Sequence, residues 1–265
     1  MAIYDLLTGW PSENVAGAYS SLTATTEDST YPATNLHDHN PAKPAKLTGS
    51  SGTFVWDFGT ATRIDWATFG PHNLAGGSAL LQGNATNSWG GPSFTHTFTI
   101  PANFADRQSR HPWMDLTGLS GYTTGGYRYW RLSVATTSAP VAIGEVWLAG
   151  QKRLVTNLKM GATDRRMRPL VEHRTDYGIA TLYGLGVLLR ALEGIWFNTD
   201  AKAADLLDLW FDANGREAMF PVVADQSGTE ALFVRFSSGI DLEQQEPGLT
   251  SIRVTMDEVG RGLWL

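Results

Sequence analysis

The chain has 265 residues, a formal charge of −6, 42% hydrophobic and 17% charged residues, and no cysteine. That balance supports a packed core rather than a disordered chain, and the missing cysteines exclude disulfides, thiolate nucleophiles and cysteine-bound zinc. The acidic balance argues against a nucleic-acid partner, and no apolar run reaches the roughly 20 residues of a membrane span, so no membrane insertion is expected.

In chain order, Met1 to Trp10 has no basic residue ahead of its short apolar stretch, so a secretory leader is not expected and synthesis in a cytoplasm is. Strand patterns follow, separated by turn clusters. In Thr53–Gly59, Phe54, Trp56 and Phe58 alternate with Val55 and Asp57, the period of a sheet with one buried face. Phe94, His96, Phe98 and Ile100 alternate with threonines in the same way. Arg128–Val134 sets Trp130, Leu132 and Val134 against Tyr129 and Arg131. The stretches 49–52, 70–77, 83–92 and 118–126 are rich in Gly, Pro, Asn and Ser and read as turns. No amphipathic helix is evident before residue 150, so a β-sandwich is expected there.

The composition changes near Gly150. Residues 1–150 hold 10 Asp/Glu and 7 Lys/Arg, whereas the shorter 151–265 stretch holds 16 and 13. Seven of the ten tryptophans lie in the first part: Trp10, Trp56, Trp66, Trp89, Trp113, Trp130 and Trp147. The expectation is two domains, 1–150 and 151–265, each with its own core.

Within the first part, Asn35-Leu36-His37-Asp38 precedes Phe54-Val55-Trp56-Asp57-Phe58-Gly59 and the Ile64–Ala67 strand. Tyr127-Arg128-Tyr129-Trp130-Arg131-Leu132 then leads to Gly144-Glu145-Val146-Trp147-Leu148-Ala149-Gly150. This order resembles the discoidin, or coagulation factor C-type, galactose-binding-like family over roughly residues 30–150, with Phe58 where that family usually carries Leu or Ile. The resemblance implies a jelly roll. Such folds often hold a calcium ion through loop carbonyls and carboxylates, but carbonyl ligands leave no trace in sequence, and no cofactor is assigned.

The second part is mainly β. Gly178, Gly184, Gly186 and Gly194 interrupt the apolar stretch 170–197 and weigh against one long helix. A helix is expected near 200–214, with Asn198 or Thr199 as cap, Ala203, Leu206, Leu207 and Trp210 on one face, and Asn214-Gly215 as its stop. Strands are expected over 218–223, 231–236 and 250–256, giving a β-sandwich or barrel with one amphipathic helix. The Arg165, Arg166 and Arg168 cluster reads as a solvated or subunit-pairing strand. The element order, the Trp196-Phe197 entry to Leu206-Leu207-Asp208-Leu209-Trp210, and the terminal Arg253-Val254-Thr255-Met256-Asp257-Glu258-Val259 are similar to the β-sandwich domain of long-tailed phage tail proteins, including distal tail proteins.

Catalytic patterns are sparse. There is no nucleophile elbow and no phosphate loop. Two imidazoles and a carboxylate stand together in His37-Asp38-His39, but a surface turn capped by Asp38 is the favoured reading over a metal site. His96, on the face of Phe94 and Phe98, reads as a hydrogen-bonded core histidine; His111 and His173 stand alone in sequence. Asp57, Asp65, Asp106, Asp115 and Glu145 are the carboxylates available for acid–base work, although Asp57 and Glu145 fall on the family landmarks, where backbone or arginine partners are expected. The chain is therefore expected not to be an enzyme.

Binding is the better expectation, since sugars dock on aromatic faces flanked by polar groups carried on sandwich loops. The candidates are Asp38 and His39, His72 and Asn73 in an exposed Gly/Pro loop, and Asn87 with Trp89. Trp89 reads either as a stacking platform or as a plug for the end of the barrel. The resemblances together imply a structural component of a phage tail tip or baseplate: a homo-oligomeric ring in the virion that contacts tube and hub proteins and displays a carbohydrate-binding-like domain to host-surface glycans. The alternative is a stand-alone carbohydrate-binding or adhesion protein without catalysis.

Overall fold

The structure, a computed structural model, describes residues 6–8, 11–40, 43–74, 76–100, 111–137 and 140–150 of the first part. Of the second it describes 152–154, 157–158, 163–167, 170–174, 180–184, 189–214, 218–223, 230–237, 239–246 and 249–258, with backbone course alone before residue 204.

The described residues of the first part form strands, 3₁₀ turns and loops. β1 (Leu6–Thr8) and β2 (Ser21–Ala24) precede a 3₁₀ turn at Ala33–His37. β3 (Ala45–Lys46), β4 (Ser51–Thr62), β5 (Trp66–Phe69), β6 (Ser78–Asn84) and β7 (Phe94–Thr97) follow. β8 (His111–Asp115), β9 (Tyr127–Ala135), β10 (Ala142–Ile143) and β11 (Val146–Ala149) complete it. An antiparallel sheet of order β2-β4-β9-β6-β7 faces a sheet containing β11-β5-β8. The expected alternation is realised: Phe54, Trp56 and Phe58 of β4, and Trp130, Leu132 and Val134 of β9, are buried, with Trp56 opposite Trp130. They pack on Phe69, Met114, Val146 and Leu148 of the facing sheet. Gly126 turns the chain into β9 with φ +69, and a Cβ there would lie 2.2 Å from the Thr62 carbonyl, so only glycine fits.

The facing sheet is buried on both sides. Every residue of β5 and β11, and four of the five in β8, is buried; a strand covered on both faces loses its polar alternation. Inward residues Ala67, Phe69, Met114, Val146 and Leu148 join the sandwich core, while Trp66, Trp113, Trp147 and Ala149 join a second cluster. Trp113 and Trp147 both stand opposite Thr68, and Trp66 lies diagonal to each. The indoles stack in a ladder, Trp66–Trp113 at 4.4 Å and Trp66–Trp147 at 6.2 Å between ring centroids, each pair at 16°.

The second part covers that ladder. Its elements are β12 (Lys152–Leu154), β13 (Asn157–Leu158), β14 (Thr163–Met167), β15 (Leu170–Arg174), β16 (Ala180–Gly184) and β17 (Leu189–Thr199). Then come α1 (Asp200–Asp212), β18 (Phe220–Val223), β19 (Glu230–Phe236), β20 (Asp241–Glu246) and β21 (Leu249–Glu258). β19 pairs with β8 through Glu230–Pro112 and Ala231–His111, so one sheet runs from the sandwich into the second part. Leu209, Ala213, Phe220, Val222, Phe233, Phe236, Val254 and Met256 pack with the three tryptophans. The second cluster thus draws on both sides of residue 150.

The mainly β architecture with one helix is as expected, with local differences. α1 ends at Asp212, and Asn214 in the turn that follows takes the left-handed φ of 49°. Its fully buried residues are Leu209 and the following Ala213, while Leu207 and Trp210 are half-buried and the side chains of Ala203 and Leu206 lie outside the described residues. β20 was not anticipated, because Asp-Leu-Glu-Gln-Gln-Glu has a single apolar residue and no strand pattern. Arg165 and Arg166 fall in β14, which pairs with β17; Arg168, Asp106, Met1–Asp5 and Val259 lie outside the described residues.

A chain ended at residue 150 uncovers Trp66, Trp113 and Trp147 together. It is expected to bind a hydrophobic dye and aggregate on size-exclusion chromatography, while Trp113→Ala in the full chain lowers stability by about 3–5 kcal/mol in urea melts.

Candidate functional site

Strand register separates the sequence candidates into two places. Ser51, Ser78 and Ala135 mark one end of the five-stranded sheet, and Thr62, Asn84 and Tyr127 mark the other. His72 and Asn73 lie toward the first end, held to Thr136, Pro140 and the β10 residues Ala142 and Ile143, and Asp38 and His39 join them through Glu145. Asn87 and Trp89 lie in the β6–β7 connection at the other end.

Asp38 closes the 3₁₀ turn, is exposed, and accepts from the Asn40 N–H at 2.9 Å, the surface turn expected of it. His39 takes φ 57°, sets its ring edge-on to Trp147 at 6.4 Å, and brings Nδ1 to 3.7 Å from Glu145 Oε1. Glu145 departs from expectation. Its side chain is fully buried, and neither carboxylate oxygen has a hydrogen bond of ordinary geometry. Burial pushes its carboxyl well above the usual range, the charge of Asp38 adds to that, and the His39 backbone N–H acts in the opposite sense.

Among the described residues no group of three or more His, Cys, Asp or Glu is placed to hold a metal ion. The buried oxygens of Glu145, one of them 3.7 Å from His39 Nδ1, and the nearby carboxylate of Asp38 are the described oxygens that a hard cation would meet.

The His72–Asn73 loop is not the exposed pair that its Gly/Pro setting predicts. His72 is 2% exposed, accepts from the Leu74 N–H through Nδ1 at 3.1 Å, and lies 5.1 Å from the Phe69 ring. Asn73 is a loop staple. Its amide donates to Pro140 O at 2.7 Å and accepts from Ala142 N at 2.9 Å, while its carbonyl accepts from Thr136 Oγ1 at 2.8 Å. An isolated bridge from His72 to Ile143 draws this loop inward, which sequence composition could not show.

Trp89 is neither a buried plug nor a free ring. It is half-buried, and its Nε1–H donates to Asn87 Oδ1 at 2.8 Å. The loop folds back over the outer face of the five-stranded sheet, where the Arg131 guanidinium sits 4.4 Å from the indole centroid. Arg131 is opposite Gln82 in the β6–β9 register and donates to Gln82 Oε1 through Nε at 2.7 Å and also through Nη2. Gln82 Nε2 in turn donates to Thr95 Oγ1 at 3.3 Å. Gln82 and Arg131 were not candidates in the sequence. The available signal was a glutamine following the apolar run Ala79-Leu80-Leu81 and preceding Gly83, where a buried amide needs a partner.

The remaining polar groups serve the scaffold. Asp57 takes Arg128 in a two-point ion pair at 2.8 and 2.9 Å and accepts from the Gly59 N–H, and these hold its carboxyl down to about 2. Asp65 accepts from Arg63 and from the Tyr122 hydroxyl, each at 2.6 Å. His96 is hydrogen-bonded, as expected, with Nε2 2.8 Å from Ser120 O, but it is half-buried beside Phe94 instead of lying in the core.

No family model and no curated protein matches the chain. Solved structures do match about half of it. A chitosan-binding module from a chitosanase/glucanase of Paenibacillus sp. IK-5 is 12% identical with a TM-score of 0.39, covering 52% of this chain and 98% of the module. A fucose-binding module of Streptococcus pneumoniae is 14% identical with a TM-score of 0.38, over 52% and 98%. The lectin domain of lectinolysin, solved with Lewis B antigen, is 14% identical with a TM-score of 0.38, over 52% and 96%.

Burial lowers both His72 and His111 from 6.5 to about 3, so the fold keeps them neutral where the unfolded chain protonates them. The unfolded state therefore binds more protons between those values, and this contribution to stability, complete above about 6.5, is lost as pH falls toward about 3. Thermal melts from about pH 7.5 down to about pH 4 are expected to show a falling Tm, with a shallower slope in His111→Gln.

Proposed function

We propose that the chain is a non-catalytic glycan-binding component, with Trp89 as its stacking platform, carried rigidly on an assembly unit. The observation that carries this is the fixed indole of Trp89, partly exposed, pinned by Asn87 and backed by Arg131 on a rigid sheet. An aromatic ring held in one orientation with amide groups beside it is what a pyranose face and its hydroxyls require. Asp38 and His39, exposed at the opposite end, contribute a second polar surface, and His72 and Asn73 support the loop instead of meeting a ligand.

In this reading residues 1–150 recognise and residues 151–265 assemble. The sequence likeness of the second unit to distal tail proteins supports a homo-oligomeric ring at the tip of a phage tail, made in the bacterial cytoplasm and meeting tube and hub proteins in the virion. The buried tryptophan ladder supports rigid mounting in place of a tethered module. Weak sites repeated around a ring gain avidity on a glycan-bearing surface.

The test uses the full chain. Glycan-array binding followed by calorimetry is expected to show binding that weakens about ten-fold or more in Trp89→Ala, equivalent to about 1.4 kcal/mol, with Tm unchanged. Negative-stain microscopy is expected to show rings. A blank array sinks the glycan reading, and a strictly monomeric protein at high concentration sinks the ring and leaves a stand-alone binding protein. Calcium is expected to raise Tm by roughly a few degrees, reversibly with a chelator, and Glu145→Gln to lose that response.

A further inference from the structure

Three arginines of the sandwich have described partners, and they differ in kind. Arg63 holds Asp65 and Arg128 holds Asp57, so each of those charges is matched. Arg131 is held by the neutral amide of Gln82 and the face of Trp89. Burial pushes its ionisation down, and among the described residues no carboxylate is paired with it. A guanidinium partly withdrawn from water and held by neutral groups is a cation prepared for an anion that none of the described residues supplies.

The donors left over define the shape of that anion. Arginine has five N–H groups in a planar fork. Nε–H and one Nη2–H are used on Gln82 Oε1, which leaves the end of the fork, formed by Nη1 and the second Nη2–H. A carboxylate matches two parallel N–H groups with two oxygens, which neutral hydroxyls do not do as well. Thr95 holds Gln82, Gln82 holds Arg131, and Arg131 underlies Trp89, so the fork and the ring are fixed relative to each other. Arg131 rises from the sheet beneath the indole, and the exposed part of the ring is therefore its outer side.

We infer that the Trp89 surface selects carboxylate-bearing sugars, uronate or sialate, with Arg131 as the carboxylate-binding residue beside the stacking ring. This rests on the glycan-binding reading above and adds a ligand class to it. Gln82 is then a positioning residue that orients the fork without neutralising it. Arg131 and Gln82 set specificity, while Trp89 and Asn87 supply the stacking that acidic and neutral sugars share.

The experiment is calorimetric titration of the full chain with matched pairs: galacturonate against galactose oligomers, and sialyllactose against lactose. Each acidic member is expected to bind about ten-fold or more tightly than its neutral counterpart, with the preference reduced by added salt. The galacturonate and sialyllactose arms show which source of carboxylate the surface prefers. Gln82→Glu places a carboxylate of the same shape against Arg131. It is expected to abolish the acidic preference, and an unchanged Tm separates that loss of charge selection from loss of fold. Arg131→Lys keeps the charge, loses the fork, and is expected to retain only part of the preference. Equal binding of both members of each pair overturns this inference and leaves the glycan-binding reading standing. An acidic preference that persists in Gln82→Glu also overturns it, whereas binding of neither class overturns the reading beneath it.

Discussion

The architecture depends on covering one sheet face. A three-stranded sheet whose outer surface carries Trp66, Trp113 and Trp147 needs a cover, since three neighbouring indoles left in water form a contiguous apolar patch that favours association. The chain resolves this internally: β18 and β19 and the C-terminal turn of α1 lie over the ladder, and the β8–β19 pairing ties the cover to the sheet it covers. Because the same three strands present Phe69, Met114, Val146 and Leu148 to the other side, they form a middle layer shared by two cores. Displacement of that layer disturbs both. Any ligand surface on the sandwich is therefore held at a fixed attitude to the second part.

Burial also sorts the polar residues into roles. Where a charged group is inside or at a rim with its partner, as in Asp57–Arg128 and Asp65–Arg63–Tyr122, it closes a turn or joins strands, and its chemistry is spent on the scaffold. His72 and His111 are buried far enough to stay neutral and behave as polar packing. Two groups fall outside this pattern. Glu145 is buried without ordinary hydrogen bonds beside Asp38, and Arg131 is partly buried on a neutral amide beneath an indole. Low dielectric makes a buried charge costly: it pushes the Glu145 carboxyl up toward its neutral form and leaves the Arg131 cation on neutral partners. Glu145 lies just before β11 beside the Asp38 turn, and Arg131 lies midway along β9 on the outer face of the five-stranded sheet; one is suited to a cation and the other to an anion.

Much of the fold was legible in sequence because it rests on local periodicity. The period-2 patterns of β4 and β9 specified which residues face the core, and the structure places Phe54, Trp56, Trp130 and Leu132 there. The helix was legible from its polar entry and its Asn-Gly stop. Continuous burial in β5, β8 and β11 was harder to read, because a run such as Trp66-Ala67-Thr68-Phe69 does not say whether its second face meets solvent or another layer. β20 was invisible for the opposite reason, being too polar for its pattern to mark a strand.

The candidate site divides along the same line. By itself the sequence determined that Trp89 sits in a glycine-bordered turn with Asn87, and that Asp38 begins a surface turn; these depend on neighbours within a few residues. Only the tertiary structure decided that His72 turns inward and Asn73 staples a loop some sixty-five residues away, and that Glu145 loses its solvent. It also decided that Arg131 and Gln82 lie under Trp89, and that three tryptophans of the first part belong to a core built largely by the second. The physical reason is that turn chemistry is set by the local backbone. Burial, and the charge state that follows from it, is set by whatever distant strand comes to lie above.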